Sequence, residues 1–547
     1  MPGSFVGRYL RSRLAVHDRC DLATALLIAA LLVVALATIG DYAISNDEEV
    51  QQHYGELIIA WYASGFTDQA LFHFKNLYLY GGLFDIVATL LGRALPFDLY
   101  TIRHVLSALI GVAGIGATAA TARLVAGARA GLIAAAALAV CGVWYGGMFN
   151  HTKDVPFAAA MIGATYFLLR VSRDLPRPRL GDVIGFGLLL GAALGLRAMA
   201  LLIPGYAGLV ILAQALALDG ATRGDRARFA ATGFARLLPA FAIGYAIMIA
   251  SWPWASLELL NPVRAIFSFA HFHYDISTLL DGEVYLMNEV PRWYVPTYVL
   301  LKLPLLLFVG VLCALIAAAW PKPFAATAAR RGSIALLAFT ASFPLLCEVA
   351  FRGPAFTGMR HFIFIVPPLA VLAGIGFDAT LGALSRIGAA ATAAATVVLS
   401  AAIMWNAGVL VRLHPYEYLF FNPLVGGLEG AARRYDTDYW VNIMPEAVER
   451  LAQYVRTTDG RAPPRHTVAV CAERISFEHE AGDRFAWSNQ WLQADFFIAP
   501  THMNCDRVLK GRTAFTIKRL GVVVGVVQDL RGLTASERGL APAIARK

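Results

Sequence analysis

The stretch 22–40 (LATALLIAALLVVALATIG) carries no charge over a length that suffices for one helical crossing of a bilayer, and comparable stretches recur along the whole chain. They lie at about 103–122, 130–149, 154–170, 182–200, 201–218, 232–252, 297–319, 333–350, 360–377 and 387–409, about eleven crossings in all. Composition agrees, since 58% of the 547 residues are hydrophobic and only 15% charged, against about 25% charged in soluble domains. The expected fold class is an all-α polytopic membrane protein, and a soluble enzyme is argued against. A cleaved signal peptide competes for 22–40, but that stretch is long and ends at Asp41-Tyr42 without a small-x-small cleavage site. Segment 81–95 (GGLFDIVATLLGRAL) holds Asp85 and Arg93 and is expected to be an interfacial helix.

The net charge of +9 becomes informative once it is distributed over the loops. Arg8, Arg11, Arg13 and Arg19 precede the first span. Arg123, Arg129, Arg170, Arg173, Arg177, Arg179, Arg223, Arg226, Arg228, Arg236, Lys322, Arg330, Arg331 and Arg386 fall in the loops that alternate to the same side. Those 18 bases face seven acids, a net +11 that exceeds the charge of the whole chain. This is the positive-inside pattern, so the N-terminus (1–21) is expected in the cytoplasm. A long loop (41–102), a loop at about 253–296 and the C-terminal residues are then expected outside.

The membrane domain is expected over 22–410 and a small extracytoplasmic α/β domain over 411–547. In the latter, Pro445-Glu446 opens an amphipathic helix with Ala447, Leu451, Tyr454 and Val455, followed by strand-like runs at 466–472, 494–499 and 514–528. Of six cysteines, Cys471 and Cys505 lie in this outer region, where either a disulfide or two buried thiols fits.

Two polar clusters border the spans on the expected outer side. Ser45-Asn46-Asp47-Glu48-Glu49 opens the first loop, followed by the amphipathic run 51–65 (QQHYGELIIAWYASG), which suits a segment lying in the interface. A carboxylate held at headgroup depth is placed to act as general base on a hydroxyl; the bland alternative is a hydrated loop start. The second cluster is Asn150-His151-Thr152-Lys153-Asp154-Val155-Pro156. There Lys153 offers a charge to phosphate, Asp154 a second carboxylate and His151 a proton-transfer group or metal ligand, unless this is simply a polar turn before a helix. Arg197 and the pair Arg360-His361 stand near outer span ends, suited to phosphate or to snorkelling, and Lys302 lies one turn inside a span before Pro304. His271, His273 and Asp275 (FAHFHYDIS) have metal-ligand composition in an aromatic setting. Tyr54, Tyr416, Tyr418 and Asn422 are candidate sugar or acceptor contacts; the last three lie in HPYEYLFFNPLVGG, which equally suits a rigid lid.

Taken together, Asp47-Glu48, Lys153-Asp154-x-Pro156, Gly195-Leu196-Arg197, Lys302-x-Pro304 and Gly358-Met359-Arg360-His361 ahead of Pro367-Pro368 resemble the type C glycosyltransferase superfold. The likeness is to its bacterial branch, similar to dolichyl-phosphate-mannose protein mannosyltransferases and the lipid A aminoarabinose transferase, and spans about residues 20–425. It implies a bacterial inner-membrane enzyme that transfers a sugar from a polyprenyl-phosphate donor to a lipid, glycan or protein acceptor on the outer face, with inversion. Membrane lipids are the other partners, and no nucleic acid is expected. By the same likeness Asp47 is the base and Glu48 and Asp154 are its catalytic partners. Lys153, Arg197, Lys302, Arg360 and His361 hold the donor phosphate. A divalent metal is left open, with Glu48, His151 and Asp154 as its candidate ligands. Three acids in a row (Asp47, Glu48, Glu49) leave the identity of the base open, and the compact C-terminal domain leaves the acceptor open. The competing readings are an oligosaccharide transferase or ligase of the same superfold and a non-enzymatic lipid or solute transporter, for which no pair of Gly/Pro-broken helices in corresponding halves is found.

The charge pattern predicts that a membrane-impermeant thiol reagent labels Glu49→Cys but not Ala221→Cys in intact cells, above the background of the native cysteines. Reversed labelling would invert the topology.

Overall fold

The computed structural model describes residues 19–270, 275–320, 327–460 and 464–539. It is mostly helical, and each expected crossing has a helical counterpart. Among the described residues, eight helices are long and apolar enough to cross a membrane: Arg19–Ala37, Leu99–Ala126, Asp154–Arg173, Ala198–Leu216, Arg223–Ser251, Ala328–Phe351, Arg360–Leu384 and Ala389–Leu413. The remaining three differ from straight spans. The segments expected at 130–149 and 297–319 are bent pairs, Ala128–Ala139 with Gly142–Asn150 at 71° and Tyr294–Lys302 with Leu305–Ala319 at 101°. The segment expected at 182–200 is the 15-residue helix Leu180–Leu194, only about 22 Å long at 1.5 Å per residue. This is the architecture of a multi-pass membrane protein.

The sharper bend has a local cause. Pro304 has no N–H to donate and disfavours helical geometry in the residue before it; Leu303 accordingly sits at φ −91°, ψ 142°. The bend frees carbonyls inside the bundle, and the Asn422 side chain donates to Leu300 at 2.6 Å and Leu303 at 2.9 Å. Close approach elsewhere depends on small residues. A Cβ on Gly376 would lie 2.0 Å from the Gly310 carbonyl, and one on Gly374 would lie 2.4 Å from that of Ala130.

Loops expected on the outer side meet one another. Ala43 donates its N–H to Asn442, the Asn46 amide donates to the Tyr439 carbonyl, and Gly282 donates to Arg434. Segment 81–95 forms the helix Leu83–Ala94, too short to cross, and it packs on Glu48–Ala63 so tightly that a Cβ on Gly55 would sit 2.7 Å from the Asp85 carbonyl. On the opposite side the bases of the other loops pair with acids, as in Arg129 with Asp378 and Arg170 with Asp182.

A hairpin not expected from the sequence, β1 (Ser277–Leu280) with β2 (Glu283–Leu286), turns at Asp281-Gly282, both at positive φ. Asp-Gly was the available signal for it. The last span ends at Leu413, and residues 414–443 pack against the membrane helices, so the α/β module begins with helix Met444–Asp459. Its strands are β3 (Thr467–Val470), β4 (Ala486–Trp487), β5 (Phe496–Pro500), β6 (Arg512–Arg519) and β7 (Val522–Asp529). They form one sheet in the order β4-β3-β5-β7-β6, with β3 parallel to β4 and β5 and the other pairs antiparallel. Side chains alternate across it. Val468, Val470, Phe496 and Ile498 face the main core with Leu451 and Val455, while Ala469, Phe497 and Ala499 face a second small core beside Cys471 and Cys505. Those two cysteines are joined as a disulfide.

The module is tied down where the last span ends. His414 is held between Glu417 at 2.8 Å and Asp41 at 2.9 Å, its carbonyl accepts from Arg519, and Arg519 also pairs with Glu446. The hydrogen bond to Glu417 and then that to Asp41 raise the His414 pKa against the opposing effect of burial. A raised histidine stabilises the fold below its unfolded value of about 6.5 and loses that contribution as pH rises through the folded value. His414→Gln is therefore expected to lower the melting temperature most below about pH 6, with the difference shrinking in alkali; a pH-independent difference would contradict the clasp.

Candidate active site

The two polar clusters meet across a fully buried arginine. Arg103 stands at the start of helix Leu99–Ala126 and donates to Asp85 at 2.9 Å, Gln52 at 3.1 Å, Thr152 at 3.3 Å and Gln51 at 3.4 Å. Its Nε lies 4.0 Å from Glu48, and Thr152 donates to Gln51 at 2.5 Å. The acidic loop and the Lys153 loop are thus fastened through one side chain. Sequence reasoning passed over Arg103 and His104 and used Asp85 only to argue that 81–95 is interfacial, although an ionisable residue at the edge of an apolar run was a readable signal.

The three consecutive acids have different surroundings. The Glu48 side chain is 0% exposed and accepts from the Ser45 N–H at 3.1 Å, the Ser45 hydroxyl at 3.0 Å and His104 at 3.1 Å. The Asp47 side chain is 43% exposed and pairs with Arg360 at 3.0 Å. Glu49 points outward. Arg360 is itself sandwiched, 4.6 Å from the Trp440 ring and 5.2 Å from Phe356, and its Nε donates to His361 at 3.2 Å. That bond occupies a His361 ring nitrogen, so His361 orients Arg360.

Lys153 lies beneath this pair, 3.8 Å from Asp85 and 4.9 Å and 5.8 Å from the Tyr80 and Tyr54 rings. Burial lowers its pKa and Asp85 opposes that. Asp154 is ion-paired with Arg197. Arg197 is placed by backbone contact: Gly81 and Gly82 press against Gly195 and Ser251, with the Leu83 N–H donating to the Gly195 carbonyl and that of Gly82 to Ser251. Lys302 donates to the Tyr418 carbonyl at 2.9 Å and lies 3.8 Å from the Phe421 ring. It lines a small pocket together with Arg360, Tyr298, Asp436, Tyr418 and Tyr439.

Not every expected residue reaches this place. Tyr54 cages Lys153 and donates to the Tyr80 carbonyl; Tyr416 hydrogen-bonds Glu446 beneath Arg519; Asn422 is used by the Pro304 bend. Of the four expected sugar contacts, Tyr418 lines the pocket, Tyr54 lies against Lys153, and Tyr416 and Asn422 hold the contacts just named. Among the described residues no three His, Cys, Asp or Glu side chains gather to hold a metal. Glu48 accepts from His104 and Asp154 pairs with Arg197, and with His151 they do not gather at one point. The His271 and His273 of the expected metal motif lie outside the described residues.

Residues 98–224 match the family model of dolichyl-phosphate-mannose-protein mannosyltransferases. Over this stretch the chain resembles that family. The match includes Arg103, His104, Lys153, Asp154 and Arg197. No curated protein sequence matches the chain. Among solved structures, ArnT from Cupriavidus metallidurans in the apo state is similar at 17% identity and TM-score 0.48, over 94% of this chain and 99% of that one. The Archaeoglobus fulgidus oligosaccharyltransferase in the apo form is similar at 13% identity and TM-score 0.47, over 86% and 65%. The S. cerevisiae protein O-mannosyltransferase Pmt1-Pmt2 complex bound to the sugar donor gives 17% identity and TM-score 0.36 over 45% and 36%.

Removing Arg103 would leave the buried Asp85 with only Lys153, 3.8 Å away, as counter-charge, and Gln51, Gln52 and Thr152 without their donor. Arg103→Ala is expected to cost about 3–5 kcal/mol, read as a large fall in the melting temperature of the nanodisc-embedded protein; a change within about 0.5 kcal/mol would contradict its role as the fastening.

Proposed function

We propose that this chain is an integral membrane glycosyltransferase that moves a sugar from a polyprenyl-phosphate-linked donor to an acceptor on the outer face of a bacterial inner membrane, with inversion at the anomeric carbon. In this reading the N-terminus is cytoplasmic, 22–410 is the catalytic membrane domain and the C-terminal domain lies outside. The observation that carries it is the solvent-accessible Asp47 carboxylate 3.0 Å from Arg360, with Lys153, Arg197 and Lys302 close by.

The chemistry follows from that arrangement. Asp47 takes the proton of the acceptor hydroxyl as its oxygen attacks the anomeric carbon from the face opposite the phosphate. The bond between the anomeric carbon and the phosphate oxygen breaks, and the electron pair leaves with polyprenyl phosphate. Arg360, Lys302, Lys153 and Arg197 neutralise the charge that develops there, an effect strengthened where water is excluded. Glu48, locked by Ser45 and His104, has no freedom to take a substrate proton and instead fixes the turn that presents Asp47. The family match over 98–224 supports the donor class.

Asp47→Asn is expected to lower sugar transfer from a polyprenyl-phosphate donor by about 10²–10⁴-fold, as for loss of a general base, with donor binding retained. Arg360→Ala is expected mainly to weaken donor binding. Full transfer by Asp47→Asn would overturn the assignment of the base, and absence of transfer by the native protein from every polyprenyl-phosphate sugar would overturn the activity.

A further inference from the structure

Within one short loop, Thr152, Lys153 and Asp154 all have partners, whereas the two residues before them have none for their side chains. Asn150 and His151 are 1% and 2% exposed, and the side-chain nitrogen and oxygen of Asn150 and both ring nitrogens of His151 lack any hydrogen bond. Native proteins rarely leave four such atoms buried and unpaired, so their placement calls for a hydrogen-bonding ligand or water. The surroundings narrow the choice. His151 is ringed by Trp440 at 5.1 Å, Tyr418 at 5.7 Å and Tyr439 at 5.9 Å between ring centres, and both tyrosines also wall the pocket holding Arg360 and Lys302. The Asn150 carbonyl accepts from Ser45, the residue that also holds Glu48.

Burial, then the nearby Arg360, lower the His151 pKa well below its usual value, so the ring is neutral, with one donor and one acceptor nitrogen. The Asn150 amide likewise offers both. Phosphate oxygens accept only, and Arg360 and Lys302 already serve that chemistry. Hydroxyl groups both donate and accept, and the apolar face of a sugar ring suits an aromatic wall. A sugar ammonium would meet the field of Arg360, the strongest charge acting on His151, with Lys302 adding to it and Asp47 opposing it.

We propose that Asn150 and His151 are specificity-determining residues that receive adjacent free hydroxyls of an uncharged hexose or pentose on the donor, and that they select against an amino sugar. This rests on the glycosyltransferase reading above.

The test uses the full chain in nanodiscs, with bare polyprenyl phosphate for binding and three donors for transfer: a neutral sugar, its deoxy analogue and its amino analogue. The native protein is expected to prefer the neutral sugar at least tenfold in kcat/KM. His151→Leu is expected to erase that preference while leaving affinity for bare polyprenyl phosphate within twofold, and His151→Gln, which keeps a donor and an acceptor, to restore part of it; Asn150→Leu should behave as His151→Leu. A preference unchanged in His151→Leu and Asn150→Leu, with both variants folded by melting temperature, would mean that the pair holds only water and would overturn the proposal. Equal use of the amino donor by the native protein would overturn it too. Absence of transfer from all three donors would instead reject the underlying reading.

Discussion

The guanidinium of Arg103, wholly removed from water, is the contact on which the rest of the site depends. Burying a charge of this kind costs several kcal/mol unless it is paired and hydrogen-bonded on most sides. Here Asp85 supplies the counter-charge and Gln51, Gln52 and Thr152 supply acceptors from a helix and a loop that are remote in sequence. The same Asp85 faces Lys153, and the same helix places His104 on Glu48. One ion pair therefore sets the depth of the lysine and, through Glu48, the turn that carries Asp47.

The bent span at Pro304 works in the same direction. The 101° break ends the helix at Lys302, whose ammonium donates to the Tyr418 carbonyl and lines the pocket with Arg360. The carbonyls released by the break need donors inside the bundle, and Asn422 supplies them. A residue with sugar-binding chemistry thus has a backbone to satisfy, and segment 414–443 is held against the helices as a consequence.

Much of this was readable before folding was considered. The first span, the Arg clusters and the Pro445 helix follow from hydropathy, charge and capping signals that act locally. Asp47, Lys153, Asp154, Arg197, Lys302 and Arg360 stood out because ionisable groups beside apolar runs are costly. The bends were hidden because apolar periodicity is the same in a straight and a broken span, and only Pro304 hinted otherwise. Arg103 carried the same signal, but a lone arginine at a span end equally resembles one that snorkels to headgroups.

The sequence by itself determined a chain of many membrane helices, the segregation of its basic loops and the residue types able to bind a phosphate. These depend on how each segment partitions between water and lipid. Only the tertiary structure decided which of three neighbouring acids is solvent-accessible and paired, and which are withdrawn or turned away. It also decided that Tyr54, Tyr416 and Asn422 hydrogen-bond within the protein while the side chains of Asn150 and His151 have no hydrogen bond. Hydrogen-bond satisfaction is a property of groups brought together from distant parts of the chain, and no local pattern records it.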